Sequence, residues 1–260
     1  MKNIIIWVIF VVIVAGFFAI DSFFEWMDDY KPISLLGAVE VWNIKAVKKF
    51  LKKWSDINMQ NEDWKTPLMG ATKNWYMFQY EEILKFLLDN WADVNMQDKI
   101  WYTPLMYAIT YYWDTSTVQL LIDNWANIQL GDYQGWYSPF IAATFDWYLD
   151  IAQLLLNNWA NVDDKDKYWK TALIINSSWI NPNIDSIKFL LDNWADINMQ
   201  DKNWWTSLMG ASLWWHTDIV KLLIDSWAIV NIIQIDWKTA LTYASQEWHA
   251  DIVALLKKYK

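Results

Sequence analysis

Trp64-Lys65-Thr66-Pro67-Leu68-Met69 returns five times along the chain. Its copies are Trp101-Tyr102-Thr103-Pro104-Leu105-Met106, Trp136-Tyr137-Ser138-Pro139-Phe140, Trp169-Lys170-Thr171-Ala172-Leu173, Trp204-Trp205-Thr206-Ser207-Leu208 and Trp237-Lys238-Thr239-Ala240-Leu241. Spacings of 37, 35, 33, 35 and 33 residues mark a repeat architecture. An apolar run follows each copy, as in Ile83-Leu84-Lys85-Phe86-Leu87-Leu88 and Ile219-Val220-Lys221-Leu222-Leu223-Ile224. Each unit then closes on Asn90-Trp91-Ala92-Asp93-Val94-Asn95 or its counterparts around Trp125, Trp159, Trp194 and Trp227. The i, i+3, i+4 spacing of the apolar residues predicts two short helices and an extended finger per unit. Each helix buries its stripe only against the next unit.

These residues resemble the ankyrin repeat, with its Thr-Pro-Leu opening, Leu-Leu-rich second helix and Asn-Gly-Ala-Asp-Val-Asn ending. The resemblance covers residues 31–260: six clear copies, and a first unit without a finger that opens at Ile33-Ser34-Leu35-Leu36-Gly37-Ala38. It implies an all-α solenoid of about seven helix-turn-helix units with short β-hairpin fingers. A hydrophobic N-terminal helix is expected to precede it, so that residues 1–30 form an anchor or signal segment and 31–260 the repeat domain. The family's histidine after Thr-Pro-Leu is replaced by Met69, Met106, Ile141, Ile174, Met209 and Thr242. Apolar packing is expected to substitute for the hydrogen bonds lost.

Where the family has glycine, this chain has tryptophan: 23 Trp stand against 6 Gly. Six fall in the finger turn (64, 101, 136, 169, 204, 237), six after the second helix (54, 91, 125, 159, 194, 227) and seven between the helices (42, 75, 113, 147, 179, 215, 248). A side chain with a Cβ resists the left-handed backbone of such helix ends by about 1–2 kcal/mol. The thirteen helix-end positions together would cost on the order of 13–26 kcal/mol, more than the roughly 5–15 kcal/mol that holds a domain folded. Some bacterial lineages decode UGA as glycine, and a different table reads that codon as tryptophan. Most of these tryptophans are therefore expected to be glycine in the living protein. A genuine tryptophan ladder for carbohydrate or membrane binding is the rival, disfavoured because ligand-facing residues would not all land on turns. Trp205 and Trp214 adjoin family glycines without occupying them, and Trp7 and Trp26 lie outside the repeats.

With 21 basic against 30 acidic residues, net charge −9 and no cysteine, the chain is no disulfide scaffold, cysteine-ligated zinc protein or broadly cationic nucleic-acid binder. Residues 4–20 carry no charge, with Lys2 before them and Asp21, Glu25, Asp28 and Asp29 after. That length just reaches a membrane span, and the charge order keeps the N-terminus cytoplasmic and sends the repeats across. Cleavage after Gly16, giving a secreted protein, is the alternative.

Catalytic signals are nearly absent. His216 and His249 follow turn tryptophans at one repeat position, where structural contacts are expected. Reading Trp as Gly makes Gly-Lys-Thr at 64–66, 169–171 and 237–239, yet a phosphate loop needs glycine five positions earlier, where Met59, Asp164 and Ile232 stand. Asp163, Asp164 and Asp166 alternate with Lys165 and Lys167, the pattern of a solvated loop and not of a cation site. No cofactor, metal, nucleic acid or small-molecule substrate is expected. The resemblance implies a concave face of finger tips and first helices on which another protein docks. Mapped by repeat, that face carries Lys99, Ile100, Tyr102, Tyr111, Tyr133, Gln134, Tyr137, Phe145, Asp146, Lys167, Tyr168, Lys170, Lys202, Asn203, Trp205 and Trp214. The function expected is a non-catalytic protein-binding scaffold. An envelope spacer and a regulatory subunit of a neighbouring enzyme are the alternatives.

Overall fold

The computed structural model describes residues 32–53, 55–72, 79–112, 114–132 and 137–259. The chain divides into two compact units, Met1–Asp93 and Val94–Lys260. The first holds α1 (Leu35–Glu40), α2 (Ile44–Lys52), α3 (Pro67–Ala71) and α4 (Gln79–Asp89). The second begins with α5 (Pro104–Tyr107), which runs on as a π-helix over Ala108–Tyr112, and α6 (Thr115–Asp123). The pairs α7 (Pro139–Phe145) and α8 (Leu149–Asn157), α9 (Ala172–Ser177) and α10 (Ile184–Asp192), α11 (Ser207–Leu213) and α12 (Thr217–Asp225), and α13 (Ala240–Gln246) and α14 (Ala250–Lys257) follow.

The repeated Thr or Ser starts each first helix. Thr66, Thr103, Ser138, Thr171, Thr206 and Thr239 lie in extended backbone, and each side-chain oxygen accepts from the N–H three residues on. That satisfies one of the donors a helix start leaves unpaired, and proline at the first helical position of α3, α5 and α7 has no N–H to lose. First helices stack on first helices, α7 on α9, α9 on α11 and α11 on α13, while α6 and α8, and α12 and α14, stack as second helices. The histidine position joins this core: Met69, Met106, Ile141, Ile174 and Met209 are buried, as expected. Thr242 differs. Its hydroxyl accepts from the Thr239 N–H at 3.2 Å, replacing a lost hydrogen bond with another.

The β-hairpin fingers are not found, since no strand occurs among the described residues and Lys165–Thr171 is an isolated bridge. The described fingers are instead tight reversals. Asp98 N–H donates to Tyr102 O at 3.1 Å and Trp101 N–H to Asp98 O at 2.9 Å, while Asp98 Oδ1 accepts from the N–H groups of Ile100 and Tyr102 at 2.9 Å. Asp166 and Asp201 repeat this arrangement. One main-chain pair closes a turn without extending a ladder. Neighbouring fingers are tied by side chains: Asn95, Asp163 and Asn198 accept from the backbone N–H of Asn127, Asp196 and Ile229 at 2.7–2.9 Å.

Fourteen tryptophans occupy the reversals with φ between 55° and 72°: residues 42, 64, 91, 101, 125, 147, 159, 169, 194, 204, 215, 227, 237 and 248. At the end of α8, Trp159 N–H donates to Leu156 O and Ala160 N–H to Leu155 O, the paired bonds of a Schellman ending with Trp159 at its left-handed residue. The ends of α4, α6, α10 and α12 repeat it. Trp54, Trp75, Trp113 and Trp136 lie outside the described residues. Trp179 is a correction: it is described and is absent from the left-handed set, so it does not hold the inter-helix glycine position. Trp205 and Trp214 are likewise outside that set, as their offset from the family glycines implies.

Among the described residues no helix is long and apolar enough to cross a membrane. The expected anchor, residues 4–20, and the hydrophobic N-terminal helix lie outside them.

Candidate protein-binding face

The described residues expected to bind a partner all fall in the Val94–Lys260 unit, on its finger turns and on its first helices or their ends. Tyr133 and Gln134 lie outside the described residues. Most of the others form a series of aromatic clusters flanked by lysine.

The first cluster joins the finger to the first helix and its π-helical continuation. Tyr102 meets Tyr107 edge-on at 5.5 Å and Tyr111 at 6.1 Å, and Tyr107 stacks on Tyr111 at 5.7 Å. Ten residues separate Thr103 from Trp113, against nine from Ser138 to Trp147 and from Thr206 to Trp215. A π turn accommodates one extra residue in a helix. Tyr107 is buried, and its hydroxyl donates to Asp98 Oδ2 at 2.6 Å. That bond ties the first helix to the same carboxylate that closes the finger, while Tyr111 remains 49% exposed at the helix end.

The second cluster joins two repeats. Tyr137 lies 5.4 Å from Phe145, and Phe145 meets Trp179 edge-on at 5.0 Å. Burial pushes the Tyr137 hydroxyl above its ordinary pKa, with the carboxylates of Asp166, Asp132 and Asp146 adding to the effect. Burial likewise raises Tyr102 and Asp146. The third cluster pairs half-buried Trp205 with Tyr243, edge-on at 4.6 Å, and the Tyr243 hydroxyl donates to Gln234 Oε1 at 2.7 Å. Trp214 is 45% exposed.

Lysines line the finger tips. Lys99 and Lys202 are exposed and Lys167 and Lys170 half-buried, with Ile100, Tyr168 and Asn203 exposed among them. Lys202 N–H donates to Tyr168 O at 2.9 Å, joining consecutive fingers, and Lys167 Nζ lies 5.1 Å over the Tyr168 ring. The carboxylates of Asp166 and Asp201 are buried and turned inward on backbone N–H groups, so the ammonium groups dominate the outer edge.

The histidines serve the stack. His216 Nε2 donates to Trp179 O at 2.7 Å and His249 Nε2 to Leu213 O at 3.0 Å, each binding the end of the preceding first helix. A carbonyl only accepts, so both rings carry the proton on Nε2. Sequence does not single out Tyr107 or Tyr243, and it marks Trp179 only as an inter-helix turn residue, not as part of the binding face. Tyr107 and Tyr243 lie four residues past the opening Thr, where other repeats place Gly70, Ala142, Ile175 and Gly210, so the position reads as core.

A family model for ankyrin repeats in three copies matches residues 35–111, 75–166 and 173–260. The chain belongs to the ankyrin-repeat family. Among solved structures it is similar to the ankyrin repeat domain of Bcl-3, described as a unique member of the IkappaB protein family. Identity is 21%, with 88% of this chain and 99% of that chain covered at a TM-score of 0.73, so the likeness is one of fold. A comparison with curated protein sequences gave no match.

Proposed function

We propose that this ankyrin-repeat protein is a non-catalytic scaffold of about seven units that holds a partner protein on the fingers and first helices of its Val94–Lys260 unit. The observation that carries this reading is the arrangement of Tyr102, Tyr111, Tyr137, Phe145 and Trp205, each packed on a neighbouring ring and each leaving part of its surface in solvent. Rings pre-ordered in this way supply apolar contact with little further loss of side-chain freedom, which suits interface anchors. Lysines at the rim add a polar margin. The second helices present ion pairs that are already satisfied, Lys85 with Glu81 and Lys188 with Asp185.

The test is a titration of the captured partner. Replacing Tyr102 and Tyr137 with Ala should weaken binding by about 2–4 kcal/mol, roughly 30- to 1,000-fold. Phenylalanine at both positions keeps the ring contacts and should retain most of the affinity, and alanine at Lys85 and Lys188 should change it less than twofold. Dependence on those two lysines with none on the tyrosines would move the site from the fingers to the second helices.

The proposal extends to the N-terminus: residues 4–20 anchor the protein, with the repeats on the extracytoplasmic side. The charge order around that uncharged run supports it. A periplasm-dependent reporter fused after Lys260 should be active. Activity from a cytoplasm-dependent reporter at the same point would reverse the orientation, and a mature chain beginning after Gly16 would replace the anchor by a cleaved signal.

A further inference from the structure

We infer that the fourteen tryptophans in left-handed backbone are glycine in the protein its own ribosomes make, because the codon at those positions is decoded there as glycine. The backbone geometry adds to the family's sequence pattern. A residue with a Cβ is uncommon at φ near +60°, and for a bulky side chain that geometry is an outlier. Here every described non-glycine residue with positive φ is tryptophan, with no asparagine or aspartate among them, although those are the residues ordinarily enriched there. The four described glycines, Gly37, Gly70, Gly131 and Gly210, all lie outside the left-handed region. The residue that needs no glycine geometry has been given it, and the glycines have not.

The hydrogen bonds repeat the point. Trp91, Trp125, Trp159, Trp194 and Trp227 each sit at the left-handed residue of a Schellman ending, the usual glycine position. Trp101, Trp169 and Trp204 follow a turn closed by aspartate, as the glycine of a bulged reversal does. Nor do the indoles at the second-helix ends compensate by packing: those five are 87–91% exposed. A strained backbone held for function would be over-determined by its surroundings, and these side chains touch little. Trp179, Trp205 and Trp214 carry no such constraint, and the rings of Trp179 and Trp205 pack on Phe145 and Tyr243. The consequence is a change of surface. A row of nearly bare indoles along the second-helix ends would be an adhesive apolar edge, and glycine leaves plain turns there.

Peptide mass spectrometry of the protein purified from its source organism decides the matter without reference to any partner. Peptides spanning Trp91, Trp125, Trp159, Trp194 and Trp227 should each be lighter than written by the difference between a tryptophan and a glycine residue. Tryptophan found at these positions would overturn the inference, as would a mixture in which glycine is the minor species.

Discussion

At Trp159 the backbone and the side chain disagree. The residue has φ 72°, ends α8 and leaves its indole 91% exposed. Relief of left-handed strain is worth about 1–2 kcal/mol, against about 0.5–1 kcal/mol for the greater freedom of an unfolded glycine. Trp159→Gly in a chain made with tryptophan should therefore stabilise it by about 1 kcal/mol, read as a higher urea midpoint. Trp205→Gly should act the other way. Its φ is not left-handed and its ring packs edge-on against Tyr243, so the change removes a contact worth about 0.5–1.5 kcal/mol and adds the glycine penalty. Equal shifts in the same direction would mean that backbone geometry does not distinguish the two sites.

The element that carries the proposed binding face is the finger, and its fixed point is the aspartate. Asp201 is buried and accepts from the N–H groups of Asn203 and Trp205, so Asp201→Ala leaves donors without a partner at a cost of about 1–3 kcal/mol. Asp236, exposed on the next finger, should tolerate alanine within about 0.5 kcal/mol in the same urea titration. Helix-to-helix contacts add a pH dependence. Burial holds the His216 imidazole below its ordinary pKa, although its bond to Trp179 O opposes this. Below about pH 6.5 the unfolded chain then binds more protons than the folded one, and stability falls as pH drops through the window from that value to the folded pKa. Burial raises Asp146, Asp163 and Asp166 from 3.8, which acts in the opposite sense through carboxylate titration. Comparing midpoints at pH 7.5 and 5.5 reads the histidine, and His216→Gln, which keeps a donor, should flatten that difference. An unchanged slope would assign the acid sensitivity elsewhere.

These elements were legible in sequence because each helix start and reversal repeats the same letters. Sequence spacing misplaces Trp179 because Trp194 lies 23 positions after Thr171, against 21 from Thr206 to Trp227, so counting forward and counting back give different registers. The turn chemistry suggests hairpin fingers, but in the described fingers the chain diverges after a single main-chain pair. The Tyr107 and Tyr243 contacts needed three dimensions, since a ring four residues into a helix gives no sign that it folds back onto its own finger.

In the whole molecule these local terms add. Repeat proteins draw their stability from each repeat and its neighbours, so a defect copied into every repeat is felt everywhere. Fourteen left-handed tryptophans carry strain on the order of 14–28 kcal/mol, beyond the roughly 5–15 kcal/mol by which domains are stable. Discounting half for the freedom of glycine in the unfolded chain still leaves a term as large as the total. A full chain made with tryptophan at all fourteen positions should show no cooperative melt by circular dichroism. The same chain with glycine at those fourteen, and Trp179, Trp205 and Trp214 kept, should unfold in a sharp helical transition. Residues 4–20 do not bias the comparison, because both chains share them and are studied in the same detergent. Matching transitions would show that the fold absorbs the strain, and the proposed binding surface would then have to include the indole edge along the second-helix ends.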